Sequence, residues 1–430
     1  MVGVDFHKSA EDASKSAEQL ARERDARIRR RDALREEHRS RLAVIREKRV
    51  DDGFEALDED LFLTNRNRDK KLDYASKAFY RARFVTNSSM DYYPRALVPR
   101  DLDEALDFQK HFLRHAMQQR NNMLLVKAWK VGATSDDAQK RRNIQHPIVG
   151  PVLDIYSQPE HQDGNTVTYT LNYSQALRPW LSYAECELAF DFNRDFWRIE
   201  PKVTSSGNGG DGVTSGNGSG TSDASGNGSG ASGNASGTSG TSAIDGITGE
   251  QDYSKEEVYN SVSHVTPVIE IVGSRVDDGY VRRYGAPLLQ ADCGGNVALI
   301  CGAPLSVSTL QQRLLEQASS SSSSASPSSS SSSPMDLLQF CNRQQAELYV
   351  NKRRVASGTG AAVTQGWQTD GPLASAQWFI NYLTKRGLSL PKGTPISTGT
   401  ITGKTLIQQR DKEIIADFGP LLGKIIVRLQ

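Results

Sequence analysis

The chain has 430 residues, a formal net charge of +1 and a hydrophobic content of 37%. Charge this close to neutral argues against a nucleic-acid partner, and no stretch of about 18 apolar residues provides a membrane helix. Its four cysteines form no CxxC pair, which argues against a zinc finger or a disulfide scaffold.

Residues 1–52 are predicted to form a charged arm that is either helical or disordered. The apolar positions are too sparse and irregular for a coiled coil. Two interpretations stay open: a solvated arm, or a docking segment for a protein partner. Because the arm mixes many acidic with its basic residues, it does not match a simple mitochondrial transit peptide. We expect a cytoplasmic protein, with a mitochondrial one as the alternative.

Residues 53–122 are predicted to form a helical subdomain. Asp101, followed three residues later by Glu104, has the pattern of a helix N-cap with its partner. From residue 123 to residue 430 short strands replace helices. In the segment 183–193 apolar and polar residues alternate, as in a strand with one buried face. We therefore predict an α+β fold, a mixed β-roll or barrel rather than a doubly wound sheet.

Two low-complexity tracts interrupt this predicted strand-rich domain. Residues 204–242 are rich in Gly, Ser and Thr, and residues 319–333 are almost pure Ser. Neither can build a core, so both are predicted to be disordered inserts. Between them, Ser254 and Glu257 form a capping-box pattern that predicts a helix running to about Val265. His264 would then belong to the end of that helix.

Glu185 and Glu187 form the sharpest local signal. At positions i and i+2 of a strand both carboxylates leave the same face. Two carboxylates that close repel each other, and Mg²⁺ or Mn²⁺ resolves the conflict. Such a pair of glutamates also occurs on solvated acidic strand faces, so taken alone it does not distinguish a metal site from an exposed acidic surface.

Glu270 and Lys130 each lie inside an apolar strand. A bare carboxylate at Glu270 would be strongly disfavoured, and either Arg275 or a metal ion offers the compensation. Lys130 either extends to the surface or is a site lysine paired with a carboxylate or a substrate. The Thr398–Gly403 turn lacks the context of a phosphate-binding loop even with Lys404 after it. It suits a small anionic ligand better.

Taken in order, these segments resemble the fumarylacetoacetase-like family, in particular its branch of 2-oxopent-4-enoate hydratases and 4-oxalocrotonate decarboxylases. The resemblance runs from about Asp73 to Leu429, outside the inserts. Each piece is short, and their collinear order carries the resemblance. The segments are Trp129–Gly132, Gly150–Asp154, Glu185–Phe190 with Arg194-Asp195, Pro267–Glu270 with Ser274-Arg275, Gly358–Val363, Leu373–Leu390, Ser397–Gly399 and Ala416–Gly419.

The resemblance implies a fold of the fumarylacetoacetase C-terminal type with an N-terminal helical subdomain. It implies a metal site for Mg²⁺ or Mn²⁺ at Glu185, Glu187 and Glu270, with Lys130 as the catalytic lysine. The implied substrate is a short 2-oxo or 2-hydroxy acid, and the implied reaction is Mg²⁺-dependent hydration of a 2-hydroxydienoate. Thr398 and Gly399 would bind the distal end of the substrate, and Cys293 is the third residue expected to bind substrate. We also expect a homo-oligomer.

The chain departs from the family in the segment Gln290–Gly295. Cys293 stands where the family usually has a serine, so a hydroxyl that binds substrate is replaced by a thiol. This departure, the arm and the inserts motivate an alternative, a non-catalytic relative that acts as a scaffold. A decarboxylase or an acylpyruvate hydrolase on the same fold is the enzymatic alternative.

Overall fold

The computed structural model describes residues 68–86, 89–90, 93–120, 126–172, 182–197, 252–321 and 334–430. The arm at residues 1–52 and the insert at residues 204–242 lie outside these ranges, so both stay predictions, as do the domain boundaries. None of the helices in the described ranges is long and apolar enough to span a bilayer.

Two helices form a helical annex at the start of the described chain. They are α1 (Arg68–Phe84) and α2 (Leu102–Gln119). Asp101 caps α2 as predicted, because its carboxylate accepts a hydrogen bond from the backbone N–H of Glu104 at 2.8 Å. The two helices pack through aromatic rings, and Phe79 meets Phe108 edge to face at 5.1 Å.

The strands of the remaining chain form two sheets. In chain order the first eight are β1 (Ala128–Gly132), β2 (Ile148–Val152), β3 (Ile155–Tyr156), β4 (His161–Asp163), β5 (Thr166–Leu171), β6 (Ser182–Phe192), β7 (Val262–Val272) and β8 (Asn296–Cys301). The others are β9 (Leu305–Ser306), β10 (Gln345–Val350), β11 (Arg353–Thr359), β12 (Ile396–Thr400), β13 (Thr405–Ile407), β14 (Glu413–Asp417) and β15 (Lys424–Leu429).

Within the described residues the larger sheet has nine strands in the order β2-β1-β12-β6-β7-β8-β3, with β13 paired to β6 and β9 to β7. The smaller sheet has six strands in the order β11-β10-β14-β15-β5-β4. Parallel and antiparallel neighbours occur in both. The α+β class and the mixed sheets predicted from the sequence are therefore confirmed.

Shorter helices connect and cover the strands. They are α3 (Asp136–Arg142), α4 (Lys255–Tyr259), α5 (Asp278–Tyr284), α6 (Ala286–Ala291), α7 (Val307–Ser321), α8 (Pro334–Arg343), α9 (Gly371–Thr384) and α10 (Gly419–Leu422). Gly387 has φ +67° three residues after α9, a left-handed conformation that glycine adopts without strain.

Two predictions about element ends differ from the structure. The capping box at Ser254 and Glu257 is present, but α4 ends at Tyr259 and β7 begins at Val262. His264 therefore lies in a strand. The long neighbouring strand β6 offers a ladder to residues up to Val262, and that pairing outweighs continuation of the helix. In addition, α7 includes residues up to Ser321, so the first three residues of the predicted insert at 319–333 are helical.

Candidate metal and substrate site

The register between β6 and β7 builds the centre of the site. Glu185 lies directly opposite Glu270 in this antiparallel pair, and Glu187 is two residues further along the same face of β6. One oxygen from each of the three carboxylates lies within 4.8 Å of the others. In the sequence Glu270 lies about 85 positions after Glu185 and Glu187, and the strand pairing brings it to them, as the metal-site prediction requires.

The three carboxylates are buried. Their exposed fractions are 5% for Glu185, 1% for Glu187 and 0% for Glu270. Burial raises the pKa of Glu185, and Glu270 adds to the rise. Burial also raises the pKa of Glu187 well above its ordinary value, with further contributions from Glu270 and Glu185. In the protein without a metal ion, Glu185 and Glu187 therefore hold protons more tightly than ordinary glutamates do.

Lys130 provides the positive charge next to the cluster. It is 3% exposed, and its Nζ lies 3.2 Å from Oε1 and 3.2 Å from Oε2 of Glu270. Burial alone would lower the pKa of Lys130, but Glu270, Glu185 and Glu187 outweigh it and raise that pKa. The lysine therefore stays protonated. The sequence left open whether Lys130 extends to the surface or is paired with a carboxylate, and in the structure it is buried and paired with Glu270.

Other groups fix the carboxylates individually. The hydroxyl of Ser397 and the backbone N–H of Gly399, the latter at 3.2 Å, both donate to Oε2 of Glu187. Asn296 Nδ2 donates to Oε1 of Glu270 at 2.9 Å. Gly399 has φ +108°, and a Cβ there would lie 2.6 Å from Thr134 Oγ1, so this position requires glycine.

Arg275 is not the partner of Glu270, which was one of the two readings of the sequence. It forms an ion pair with Asp292, to which its backbone N–H also donates at 2.7 Å. Among the described residues, Lys130 is the cation in contact with Glu270, and three converging carboxylate oxygens are the ligand type that a hard divalent cation prefers. By donor type, number and proximity, the residues present fit Mg²⁺ or Mn²⁺.

The cluster opens into a cavity of about 480 Å³. We call Lys130, Glu185 and Glu187, together with Glu270 behind them, the cavity floor. We call Arg141, Arg142 and Lys404 the cavity mouth. All of these residues line the cavity, apart from Glu270.

The cavity mouth is cationic. Burial lowers the pKa of Arg142, and the neighbouring Arg141 lowers it further. Solvent reaches Lys404, but the protein packed around its amine still lowers the pKa of this lysine. The positive charges of Lys130 and Arg142 lower that pKa further, whereas the negative charge of Glu185 raises it. Arg142 stood outside the sequence predictions, and Lys404 entered them only as part of a rejected phosphate loop. Neither carries a local motif, so only the fold identifies them.

Two of the three residues predicted to bind substrate have side chains directed elsewhere. The Thr398 hydroxyl donates to the carbonyl of Leu188 at 2.8 Å, and the Cys293 side chain is buried among residues of the helical annex. Gly294 lines the cavity next to Cys293, and a Cβ there would lie 3.0 Å from Lys130 Cε. Of the three, Gly399 is joined to the site, through its bond to Glu187.

Comparison with solved structures identifies the fold. The chain is similar to 4-oxalocrotonate decarboxylase from Pseudomonas putida G7, complexed with calcium and acetate (TM-score 0.53) and with magnesium and adipate (TM-score 0.54). Each alignment has 16% identity and covers 84% of this chain and 98% of that chain. No protein-family model and no curated protein matches the chain. The predicted α+β fold of the fumarylacetoacetase C-terminal type is therefore confirmed.

Proposed function

We propose that this chain, which has the fold of 4-oxalocrotonate decarboxylase, is a metal-dependent enzyme that acts on short 2-oxo or 2-hydroxydienoic acids. One observation carries the proposal: three buried carboxylates from two strands converge within 4.8 Å, next to a buried lysine. Without a cation such a cluster is electrostatically unfavourable, so its presence in a well-packed sheet supports a binding role rather than a structural one.

Glu185, Glu187 and Glu270 would hold Mg²⁺ or Mn²⁺. The related structures contain magnesium and calcium, which both prefer oxygen ligands. When bound, such an ion polarises a 2-oxo group and the adjacent carboxylate and stabilises negative charge that develops there.

Lys130 would carry the proton. Its ammonium group lies on the cavity floor and is held by Glu270 at 3.2 Å, and in the metal-free protein the surrounding carboxylates raise its pKa. It can therefore stabilise an enolate and deliver a proton to carbon. Because Lys130 is only 3% exposed, water has little access to this proton, which favours transfer to the substrate.

Hydration is the first candidate reaction. Ketonisation of 2-hydroxypenta-2,4-dienoate moves the proton of the 2-hydroxyl group to carbon, and water then adds across the conjugated double bond. Lys130 would mediate the first transfer. The Gly399 turn and the hydroxyl of Ser397 keep Glu187 in place while the charge of the substrate changes.

Decarboxylation of a 2-oxo dicarboxylic acid is a second candidate, and the cavity mouth favours it. A substrate with one carboxylate leaves Arg142 and Lys404 without an anionic partner, whereas a second carboxylate complements them. When the second carboxylate leaves as CO₂, the electron pair of the broken C–C bond is delocalised through the conjugated system onto the 2-oxo oxygen, which gives a dienolate. Lys130 could protonate this dienolate, as it would protonate the enolate in the hydration reaction.

A paired assay separates these candidates. The full chain is incubated with Mg²⁺ or Mn²⁺, and hydration of 2-hydroxypenta-2,4-dienoate and CO₂ release from 4-oxalocrotonate are measured, with Glu185→Ala as the control. We expect cation-dependent turnover of at least one substrate and loss of it in the variant. Equal activity of the variant would refute the mechanism. Cation binding without turnover of either substrate would favour a non-catalytic relative.

A further inference from the structure

We propose that Asn296 is a positioning residue for Glu270 and that the helical annex fixes Asn296 through Arg83. The inference rests on the proposed metal site. Asn296 is the first residue of β8 and is fully buried, and its side-chain amide donates to Glu270 Oε1 at 2.9 Å. It therefore holds the carboxylate without itself lining the cavity.

Two buried arginines hold the main chain of Asn296. Its carbonyl oxygen accepts hydrogen bonds from Arg83 Nη1 at 3.1 Å and from Arg275 Nη1 at 2.7 Å. Arg83 lies in α1 of the annex and also donates to the carbonyl of Val297 at 3.1 Å. The start of β8 is therefore fixed by residues from two separate parts of the chain.

Neither arginine serves Glu270 as a counterion. Arg83 pairs with Asp154 at 2.9 Å, and Arg275 pairs with Asp292. Because each guanidinium has its own carboxylate, its effect on the cluster is geometric: it fixes the position from which Asn296 reaches Glu270.

The orientation of the Asn296 amide supports this assignment. Its Oδ1 is buried and accepts no hydrogen bond from the described residues. Rotating the amide by half a turn would point that oxygen at the Glu270 carboxylate, which would be repulsive. The hydrogen bond from Asn296 Nδ2 to Glu270 therefore determines the orientation of the amide.

Metal ligands depend on such partners, and loss of one typically costs 10- to 100-fold in metal affinity or activity. We expect Asn296→Ala to weaken Mn²⁺ binding by about 10- to 100-fold. Asn296→Leu, which keeps most of the volume but has no donor, should give a similar loss. The control is Val297→Ala: it alters the next buried residue of β8, which has no bond to Glu270, and should leave the affinity within about twofold.

Arg83→Lys tests the connection to the annex. It keeps the charge next to Asp154 but loses the planar group that contacts several oxygens at once. We expect weaker Mn²⁺ binding than in the wild type. The double variant Arg83→Lys/Asn296→Ala should bind no more weakly than Asn296→Ala alone, because both changes act through the same hydrogen bond.

Isothermal titration calorimetry with Mn²⁺ measures the affinity of the full chain, and thermal unfolding checks that each variant is folded. If Asn296→Ala does not fold, Asn296→Leu and Arg83→Lys provide the same comparison. Wild-type affinity in the Asn296 variants, or an additive loss in the double variant, would overturn the inference while the metal site stands. If the wild type binds no Mn²⁺, the proposed function fails and the inference fails with it.

Discussion

The floor and the mouth of the same cavity are built in opposite ways. On the floor, Glu185, Glu187 and Glu270 are at most 5% exposed and are fixed by the register of two long strands. At the mouth, Arg142 ends a short helix and Lys404 follows a turn where solvent reaches it. Buried charges need partners at defined positions, whereas exposed ones do not. The floor therefore suits chemistry, and the mouth suits recognition of an anion.

The largest expected effect is the loss of Lys130. Replacing it with Met should reduce turnover by about 10²- to 10⁴-fold, the usual contribution of a positioned acid or base. Cation binding should be retained or tightened, because a positive charge leaves the cluster. Steady-state kinetics and calorimetry together test this. Lys127→Met, an exposed lysine three residues away, is the matched control and should behave as the wild type.

Next in size is the removal of one carboxylate charge. Glu270→Gln should weaken Mg²⁺ binding by more than about 100-fold, because loss of a ligand exceeds the effect of losing a partner of a ligand. Glu256→Gln, on an exposed helical position, should leave binding unchanged. If Glu270→Gln bound Mg²⁺ as tightly as the wild type, Glu270 would not be a metal ligand and the proposed metal site on the cavity floor would be wrong.

The stability of the metal-free protein and its affinity for the cation should both depend on pH through Glu187 on the cavity floor. Because the pKa of Glu187 is raised well above 4.5, the metal-free folded protein binds this proton more tightly than the unfolded chain does. Its contribution to stability is present at low pH and is lost as the pH rises through the folded pKa. The cation must displace this proton, so its affinity should fall by up to about tenfold per pH unit below that pKa.

This pH dependence can be measured as the increase in unfolding temperature that Mg²⁺ produces at several pH values. The increase should become larger as the pH rises above 4.5, the ordinary value for a glutamate. An increase that is the same throughout that range would contradict the raised pKa of Glu187 in the metal-free protein.

The smallest effect is expected at the mouth. Lys404→Ala should raise KM for a dicarboxylate by about two- to fivefold, the range of exposed charge interactions, with little change in kcat. The effect should shrink at high salt. Lys412→Ala, another exposed lysine, is the control. A kcat decrease without a KM change would assign Lys404 to the reaction rather than to recognition.

The difference between floor and mouth also explains what the sequence could predict. Alternation along β6 places Glu185 and Glu187 on one face, and the family order of segments adds Glu270 and Lys130. These residues have local signals because burial constrains their neighbours. Arg142 and Lys404 have none, since a cation that is at least partly exposed fits almost any local pattern.

The wrong or incomplete predictions have a common physical cause. The end of α4 and the place of His264 depend on pairing with β6, a contact between distant segments. The direction of the Cys293 side chain depends on a backbone with φ +53°, which sends the thiol toward the annex. Asn296 likewise acquires its role only where β8 meets β7 and α1.

The most direct test of the account is a crystal structure of the full chain grown with Mn²⁺, with anomalous diffraction used to locate the ion. The account predicts one ion within coordinating distance of carboxylate oxygens from Glu185, Glu187 and Glu270, with Lys130 next to it. An ion bound elsewhere, or one that leaves Glu270 beyond coordinating distance while the site is fully occupied, would contradict it.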